Sequence, residues 1–453
     1  MPHSYFSFAP CGQGLFVHAA LKCPGLAALQ IVFDCGTAGH QGRLGDAIHE
    51  YQTAFEGPDV LVLSHLHDDH VSGVPQLLRD HQCEAIILPY LTPLARAAAI
   101  AASESDDPSY VNLVADPVGY FTGGDRPRAR RIILVEEGGE GDSRLSDEVP
   151  DKPTPPDSGN DPGSRERLIE HLAQVLERAG RKPRADDEFA VGASAERVRI
   201  IGDEGSYRLT PCWNFRFLVR DPAAGRNAAA RSAMPAQWAA FEAAVRSILG
   251  VPAGTVISTA ALAAGLADPA KIDALRRAYR SLGDLNTNGL TLWIGRRQNR
   301  LGTTTLVEAG SGFLGAWNSM PSIWIGGSSA GKAWRRIIGG PGHLQNRGTG
   351  ILLTADNSFE KNGQDILDHF SRELPSTGVV QVPHHGSRLS WNAGIFRAIS
   401  DAVVSPCFWP LNAGLLNRYG HPHQSVTEAL EASPGAIMAA NHEHAALHIN
   451  ISA

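Results

Sequence analysis

The sequence predicts a layered α/β or α+β fold interrupted by a long, largely helical insertion, and three observations lead there. Apolar runs of strand length alternate with more helical stretches over the first 135 residues, the texture changes from 136 to 285, and strand patterns resume from 286. In the first part "GLFVHAAL", "LQIVFDCG", "DVLVLSH", "EAIILPYL" and "RIILVEE" read as strands. The stretch "EGGEGDSRLSDEVPDKPTPPDSGNDPGS" is rich in Gly, Pro, Ser and acid. It lacks the apolar groups that would offset the entropy of ordering, so it reads as a flexible linker. Three helices follow. Ser164 can cap "RERLIEHLAQVLERAG", with Leu168, Leu172, Val175 and Leu176 on one face. Pro235 suits a first helical turn, Trp238, Phe241, Val245 and Ile248 make the next apolar stripe, and Gly250 suits its exit. "ADPAKIDALRRAYRSLG" offers Ile272, Leu275, Tyr279 and Leu282. Beyond them "NGLTLWIG", "SIWIGG", "GILLTAD", "GVVQVPHHG" and "AVVSPCF" return to strand patterning. Residues 1–135 and 286–453 are thus the two halves of one catalytic domain, and 136–285 the linker and helical insertion that splits it.

The chain has 453 residues, 43% hydrophobic and 19% charged, the composition of a globular protein with ample core. The start "MPHSYFSFAPCGQG" shows neither a basic segment nor a long apolar run, so no signal peptide is expected. No stretch approaches the roughly 20 apolar residues of a membrane span. Six cysteines (Cys11, Cys23, Cys35, Cys83, Cys212, Cys407) are scattered without a CxxC and read as reduced thiols of a cytoplasmic protein. A net charge of −7 weighs mildly against a protein that coats nucleic acid, since non-specific affinity comes from neutralising phosphates. It does not exclude a local basic groove. "RPRARR" at 126–131, "RRQNR" at 296–300 and Arg335 with Arg336 read first as solvated faces.

The chemistry concentrates in "LVLSHLHDDHVSG" at 61–73. Leu61 to Leu63 look like a buried strand, and on extended chain His65 and His67 point the same way. The turn beginning at Asp68 then brings round Asp69 and His70. Imidazole and carboxylate together suit zinc or manganese, at about 2.0–2.2 Å. Further ligands have to come from elsewhere, and the C-terminal half offers them. "GILLTAD" ends a strand in Asp356, "VVQVPHHGS" ends another in His384 and His385, and "NRYGHPHQSV" places His421 and His423 around Pro422. "GSGF" and "IGGSSAGK" do not match the spacing of a phosphate-binding GxxxxGK[ST] loop.

These motifs carry a resemblance. With "GQG" at 12–14, "FDCG" at 33–36, "HLHDDH" at 65–70, "NTNGLTLWI" at 286–294, "LLTAD", "PHHGS" and "RYGHPH", the chain resembles metallo-β-lactamase-fold hydrolases, and among them the soluble domain of ComEC-type DNA-uptake (competence) proteins. The resemblance implies an α+β fold of the αβ/βα four-layer sandwich type, with two divalent ions, Zn or Mn, at one edge. It implies His65 and His67 on the first ion, Asp69 and His70 on the second, Asp356 bridging, and one of His384 and His385 completing the second site. Asp34 would stand behind the ligands and accept a hydrogen bond that orients their loop. His421 would sit at the mouth as a phosphate contact or proton donor. Many members carry one more histidine before the bridging aspartate, for which His81, His171 and His343 are the candidates; ComEC-like and phosphorylcholine-esterase-like members do without it.

The expected activity is metal-dependent hydrolysis of phosphodiesters, DNA or another nucleic acid. Asp69 would orient the attacking water, and His421 or the unliganded member of the His384/His385 pair would help the leaving oxygen depart. A small-molecule or choline-phosphoester hydrolase of the same fold is the first alternative. A component gated by a protein partner that binds the 136–285 segment is the second. Antibiotic hydrolysis is least expected, because HHGS and GHP motifs stand in place of that signature.

Overall fold

The computed structural model describes residues 3–124, 127–138, 163–178, 180–184, 193–220, 236–280, 289–296, 303–310, 323–325, 335–337, 344–414, 417–441 and 445–452. In chain order the first strands are β1 (His3–Phe8), β2 (Gly14–Leu21), β3 (Leu29–Thr37), β4 (Val60–Val62), β5 (Cys83–Pro89), β6 (Ala129–Glu136), β7 (Val198–Gly202), β8 (Ser206–Thr210) and β9 (Trp213–Arg220). They continue as β10 (Gly289–Arg296), β11 (Thr303–Gly310), β12 (Ile323–Ile325), β13 (Arg335–Ile337), β14 (Leu344–Asn346), β15 (Gly350–Leu353), β16 (Thr377–Val380), β17 (Cys407–Asn412), β18 (Ala436–Asn441) and β19 (Ala445–Ser452). Two sheets result. The larger has the order β14-β11-β19-β1-β2-β3-β4-β5-β6-β7 and the smaller β18-β17-β16-β15-β10-β9-β8. β12 and β13 pair with each other.

The alternation of side chains shows how the layers form. Ile31 and Phe33 of β3, and Val60 and Val62 of β4, enter one core with Leu290, Leu292 and Ile294 of β10 and Ile351 and Leu353 of β15. Val32, Cys35, Leu61 and Leu63, pointing the other way, pack under helices that include Gln41–Phe55 and Pro93–Ala102. Trp293 and Leu352 of the smaller sheet likewise pack outward, with Phe359, Phe396 and Val426 of the helices Phe359–His369, Ala393–Ala402 and Gln424–Ala432. Period-two strands buried on both faces between two helical covers make the αβ/βα sandwich.

The segment 136–285 departs from the expectation of a linker and helical insertion. Its residues 198–220 are strands: β7 closes one edge of the larger sheet, and β8 and β9 belong to the smaller. Trp213, Phe215, Phe217 and Val219 alternate into the core between the sheets, a strand signal that sequence reading had passed over. The helix Ser164–Arg178 sends Leu168, Leu172, Val175 and Leu176 into that same core. The helices Ala236–Leu249 and Pro269–Arg280 do appear, and Trp238, Phe241, Val245, Leu275 and Tyr279 pack outside the larger sheet. These pieces are woven into the sandwich, which replaces the boundaries drawn at 135 and 286. Pro235 and Leu282 lie outside the described residues, as do most of the acidic linker and "IGGSSAGK". The strand expected at "AVVSPCF" starts later, at Cys407.

The reading of all six cysteines as reduced thiols is also corrected. Cys23, just after β2, and Cys212, between β8 and β9, form a disulfide with Cα atoms 5.7 Å apart. Cys11, Cys35, Cys83 and Cys407 are buried thiols. Among the described residues no helix is long and apolar enough to cross a membrane.

Candidate metal centre

Strands β3 to β7 run parallel, as do β15 to β18, so the turns after β4, β15, β16 and β17 gather at one end of the sandwich. This is the end where α/β sheets place their ligands. The turn after β4 begins at Ser64, whose carbonyl accepts from Leu290 N–H of β10 at 2.7 Å and so links the two sheets beside the site. His67 stands on extended backbone two residues after His65, and the short helix Asp68–Val71 then swings Asp69 and His70 back. Close approach to β3 requires glycine: a Cβ on Gly36 would lie 2.5 Å from the backbone of His70.

The expected residues converge. Ligand atoms of Asp69, His70, Asp356 and His385 all lie within 4.8 Å of one another, and those of His65, His67 and Asp69 form a second such group. Asp69 belongs to both. Asp356 lies between them as well: its Oδ1 is 3.3 Å from His70 Nε2 and 3.7 Å from His385 Nε2, while its Oδ2 is 3.6 Å from His65 Nε2 and 3.5 Å from His384 Nε2. The two histidines of the PHHGS turn are thereby separated, His385 facing the first group and His384 the oxygen shared with His65. Both have left-handed backbone, φ 46° and 53°, as does Ala355, φ 47°, next to Asp356. His384 N–H donates to the Ala355 carbonyl at 2.8 Å, so the two turns hold each other.

Hydrogen bonds behind the cluster decide which ring nitrogen faces inward. Asp34 Oδ1 accepts from Ser64 N–H at 2.6 Å, and Oδ2 accepts from Ser64 Oγ at 2.5 Å and from His70 Nδ1 at 2.8 Å. With its proton committed to Asp34, Ser64 Oγ accepts from His65 Nδ1 at 2.9 Å. His385 Nδ1 donates to the Asn412 carbonyl at 2.8 Å, an acceptor only. In the neutral rings of His65, His70 and His385, Nε2 therefore presents a lone pair to the cluster. His65 Nε2, His70 Nε2 and Asp356 Oδ1 are buried with no hydrogen-bond partner. Orphaned donors of this kind, aimed at one another and at Asp69, fit divalent cations that take nitrogen and oxygen ligands.

The electrostatics divide the rings, His65 and His67 being lowered and His70 and His385 raised. Burial, reinforced by His70, holds His65 well below the usual imidazole value, and burial also lowers His67, which favours both rings as neutral donors. Burial opposes the charge on Asp356, yet His384, His70 and His65 around it hold its carboxyl well below the ordinary range. For His70, burial is outweighed by Asp69, Asp356 and Asp34, and the ring is pushed up. Burial, with Asp69 and Asp107 nearby, raises Asp68 to about 6.

His421 stands at the mouth, its ring 5.9 Å from that of His384 and 6.4 Å from that of His385. Gln13 Nε2 donates to its Nδ1 at 3.3 Å, which leaves the proton of the neutral ring on Nε2. Burial and the neighbouring His385, His384 and His423 push His421 down to about 3. It is thus a neutral N–H donor and not a charged one. Of the further histidine candidates, His81 bonds the Pro58 carbonyl and His171 lies on the helix Ser164–Arg178, both away from the cluster; His343 lies outside the described residues.

Residues 30–164 match the model of the Metallo-beta-lactamase superfamily. Over that stretch the chain is similar to the metallo-beta-lactamase superfamily. The match spans β3 to β6 and the HLHDDH turn, while Asp356, His384, His385 and His421 lie beyond it. No curated protein matches the chain. The similarity suggests a metal-dependent hydrolase, and the His/Asp cluster could hold its metal. Sequence reasoning did not find Gln13, Ser64, Ser390 and Asn412, which hold His421, His65, His384 and His385 in place. Gln13 and Ser64 lie inside the quoted "GQG" and "LVLSHLHDDHVSG", whereas Ser390 and Asn412 lie in no quoted motif.

Proposed function

We propose that the chain is a phosphodiesterase whose substrate is DNA or another nucleic acid. The observation that carries this reading is the pair of donor groups sharing Asp69 and Asp356, with a neutral histidine N–H at their mouth. His65, His67 and His384 would hold one divalent ion and His70 and His385 the other, zinc or manganese, with Asp69 and Asp356 facing both. In this arrangement His384 occupies the place for which His81, His171 and His343 were the candidates. Paired divalent ions activate water near neutral pH and neutralise the charge that builds up on a phosphoryl group.

The remaining steps belong to the protein. Asp69, whose Oδ2 lies 3.3 Å from His385 Nε2 and whose carboxyl is held below the ordinary range by His70 and His385 against the effect of burial, accepts a hydrogen bond from the attacking water. His421 keeps its proton and donates a hydrogen bond from Nε2–H to a phosphate or leaving oxygen. His385 faces Asp69 and Asp356 inside the cluster with Nδ1 committed to Asn412, whereas His421 stands outside it with Nε2–H uncommitted to Gln13, which favours His421 for that part. The motifs "PHHGS" and "RYGHPH", which resemble those of ComEC-type proteins, support nucleic acid over a choline phosphoester.

The test measures metal content and cleavage of single- and double-stranded DNA and RNA on one preparation with Mn²⁺ or Zn²⁺, beside an Asp69→Ala, His70→Ala control. About two ions per chain, with cleavage lost in the control, is the expected result. Metal without cleavage of any nucleic acid overturns the reading in favour of a small phosphoester or a partner-gated site.

A further inference from the structure

Two loops form the mouth of the metal centre, 384–390 after β16 and 417–423 after β17. They are stitched together: His423 N–H donates to the Gly386 carbonyl at 3.0 Å, and Arg388 N–H donates to His423 Nδ1 at 3.2 Å. Each loop presents an exposed arginine beside an exposed apolar residue, Arg388 with Leu389 and Arg418 with Tyr419. Leu389 is 73% and Tyr419 43% exposed, which singles them out: among the described residues only Val256, elsewhere, is another large hydrophobic left so open.

Tyr419 is not placed at random on this rim. Its ring lies 25° from parallel to that of His421 with centroids 5.8 Å apart, and His421 lies 24° from parallel to His385. A line of rings therefore leads from the donor cluster out to solvent. The Arg418 guanidinium is 5.0 Å from the Tyr419 centroid, donates to its hydroxyl at 2.8 Å, and pairs with the exposed Glu104 at 2.8 Å. Arg388 shows no ion pair among the described residues, so its charge is available to a ligand.

We propose that this rim is a subsite for single-stranded nucleic acid, in which the base next to the scissile phosphate stacks on Tyr419 and a neighbouring phosphate pairs with Arg388. The proposal rests on the phosphodiesterase reading and deepens it. A nucleobase offers the flat π face that an exposed tyrosine matches, and arginine matches phosphate by charge and by its paired N–H groups. A base within a duplex has no face to give. A quaternary ammonium headgroup would also seek an aromatic ring, but Arg388 and Arg418 repel it. Glu104 is paired with Arg418, so of the two rim arginines Arg388 is the one that meets the phosphate.

The experiment measures binding of a labelled short phosphorothioate DNA strand to the full chain by fluorescence anisotropy, using strands in which a single abasic position is moved along the sequence. It compares the unaltered protein with Tyr419→Ala, Tyr419→Phe and Arg388→Ala, and follows cleavage of the unmodified strand in parallel. Tyr419→Ala is expected to weaken binding about 5- to 100-fold. Removing the base at one position is expected to cost the unaltered protein a similar factor and Tyr419→Ala almost nothing more, while Tyr419→Phe stays close to the unaltered protein. Losses that multiply at every position would show that Tyr419 only orders the His421 turn, and would overturn the subsite. Cleavage without the coupling leaves the phosphodiesterase reading standing and removes the rim. Coupling without cleavage upholds the rim and removes that reading, and a strand neither bound nor cut overturns both.

Discussion

Asp34 shows how much one buried carboxylate can decide. It accepts from Ser64 N–H, Ser64 Oγ and His70 Nδ1, and through Ser64 it sets the tautomer of His65 as well. Burial alone would favour its neutral form, against which His70 and Ser64 work. Replacing it with alanine leaves every proposed ligand present but frees two imidazoles to rotate or to turn their protonated nitrogen inward. Asp34→Ala is therefore expected to lower metal affinity by about 10- to 100-fold, the usual cost of losing an outer partner. Equilibrium dialysis with zinc, run beside Asp34→Asn, checks this: the amide can still accept from one donor and should lose less, whereas equal affinity in all three proteins would show that the ligands orient themselves. The residues of this network were unevenly legible in the sequence. His65, His67, Asp69 and His70 announce themselves because they sit within six positions on extended chain and a tight turn. Ser64, Ser390 and Asn412 do not, because a serine hydroxyl or an asparagine carbonyl becomes a partner only when folding brings a distant ring to it.

At the scale of elements, the turns of the centre carry backbone that other sequences avoid. Of five non-glycine residues with positive φ among those described, Asp34, Ala355, His384 and His385 belong to this site. Left-handed backbone costs about 1–3 kcal/mol at a non-glycine residue and persists where the surroundings impose it. Here the imposing contacts include His384 N–H on the Ala355 carbonyl and Ala355 N–H on Gln381 Oε1. Strands were visible in the sequence where apolar runs were nearly continuous, as in β3 and β10, whereas β7 to β9, of which β9 alternates Trp213, Phe215 and Phe217 with Asn214 and Arg216, lay hidden between a polar linker and strong helical stripes. A second element shows another side of burial. His18 of β2 and His448 of β19 lie in an aromatic cluster with Tyr5 of β1 and with Tyr51 and Phe55 of the helix Gln41–Phe55. Burial, helped by His448, pushes His18 down to about 3, and burial pushes His448 down to about 4. The folded protein thus keeps both rings neutral where the unfolded chain takes up protons from about 6.5 downward. Stability is complete above that value and is lost as pH falls from about 6.5 toward 4, by at most about 1.4 kcal/mol per unit for each ring. The midpoint of thermal unfolding measured between pH 7 and 4.5 should fall less steeply in His18→Phe, His448→Leu than in the unaltered protein, and parallel curves would sink this account.

For the whole molecule, the candidate metal centre depends on how two sheets face each other, since the HLHDDH turn comes from the larger sheet and Asp356, His384 and His385 from the smaller. At the site end the sheets are joined by Leu290 N–H on the Ser64 carbonyl. The disulfide between Cys23 and Cys212 joins them at the other end. β2 starts beside the site, where a Cβ on Gly14 would lie 2.9 Å from the Asp69 carbonyl, and Cys23 follows its far end, roughly 25 Å away at about 3.3 Å per residue. The bond closes a loop with a sequence separation of 189, so most of its effect falls on the unfolded chain. Cys212→Ser is therefore expected to cost about 2–4 kcal/mol of stability while leaving metal content unchanged, because the cluster is fixed by contacts at the opposite end. Thermal unfolding with and without a reductant, together with metal analysis, separates the two effects. The unaltered protein should lose several degrees on reduction and Cys212→Ser none. Loss of metal on reduction would mean that the far-end tie sets the alignment of the centre, and an unfolding midpoint indifferent to both treatments would mean that the packing between the sheets holds them without it.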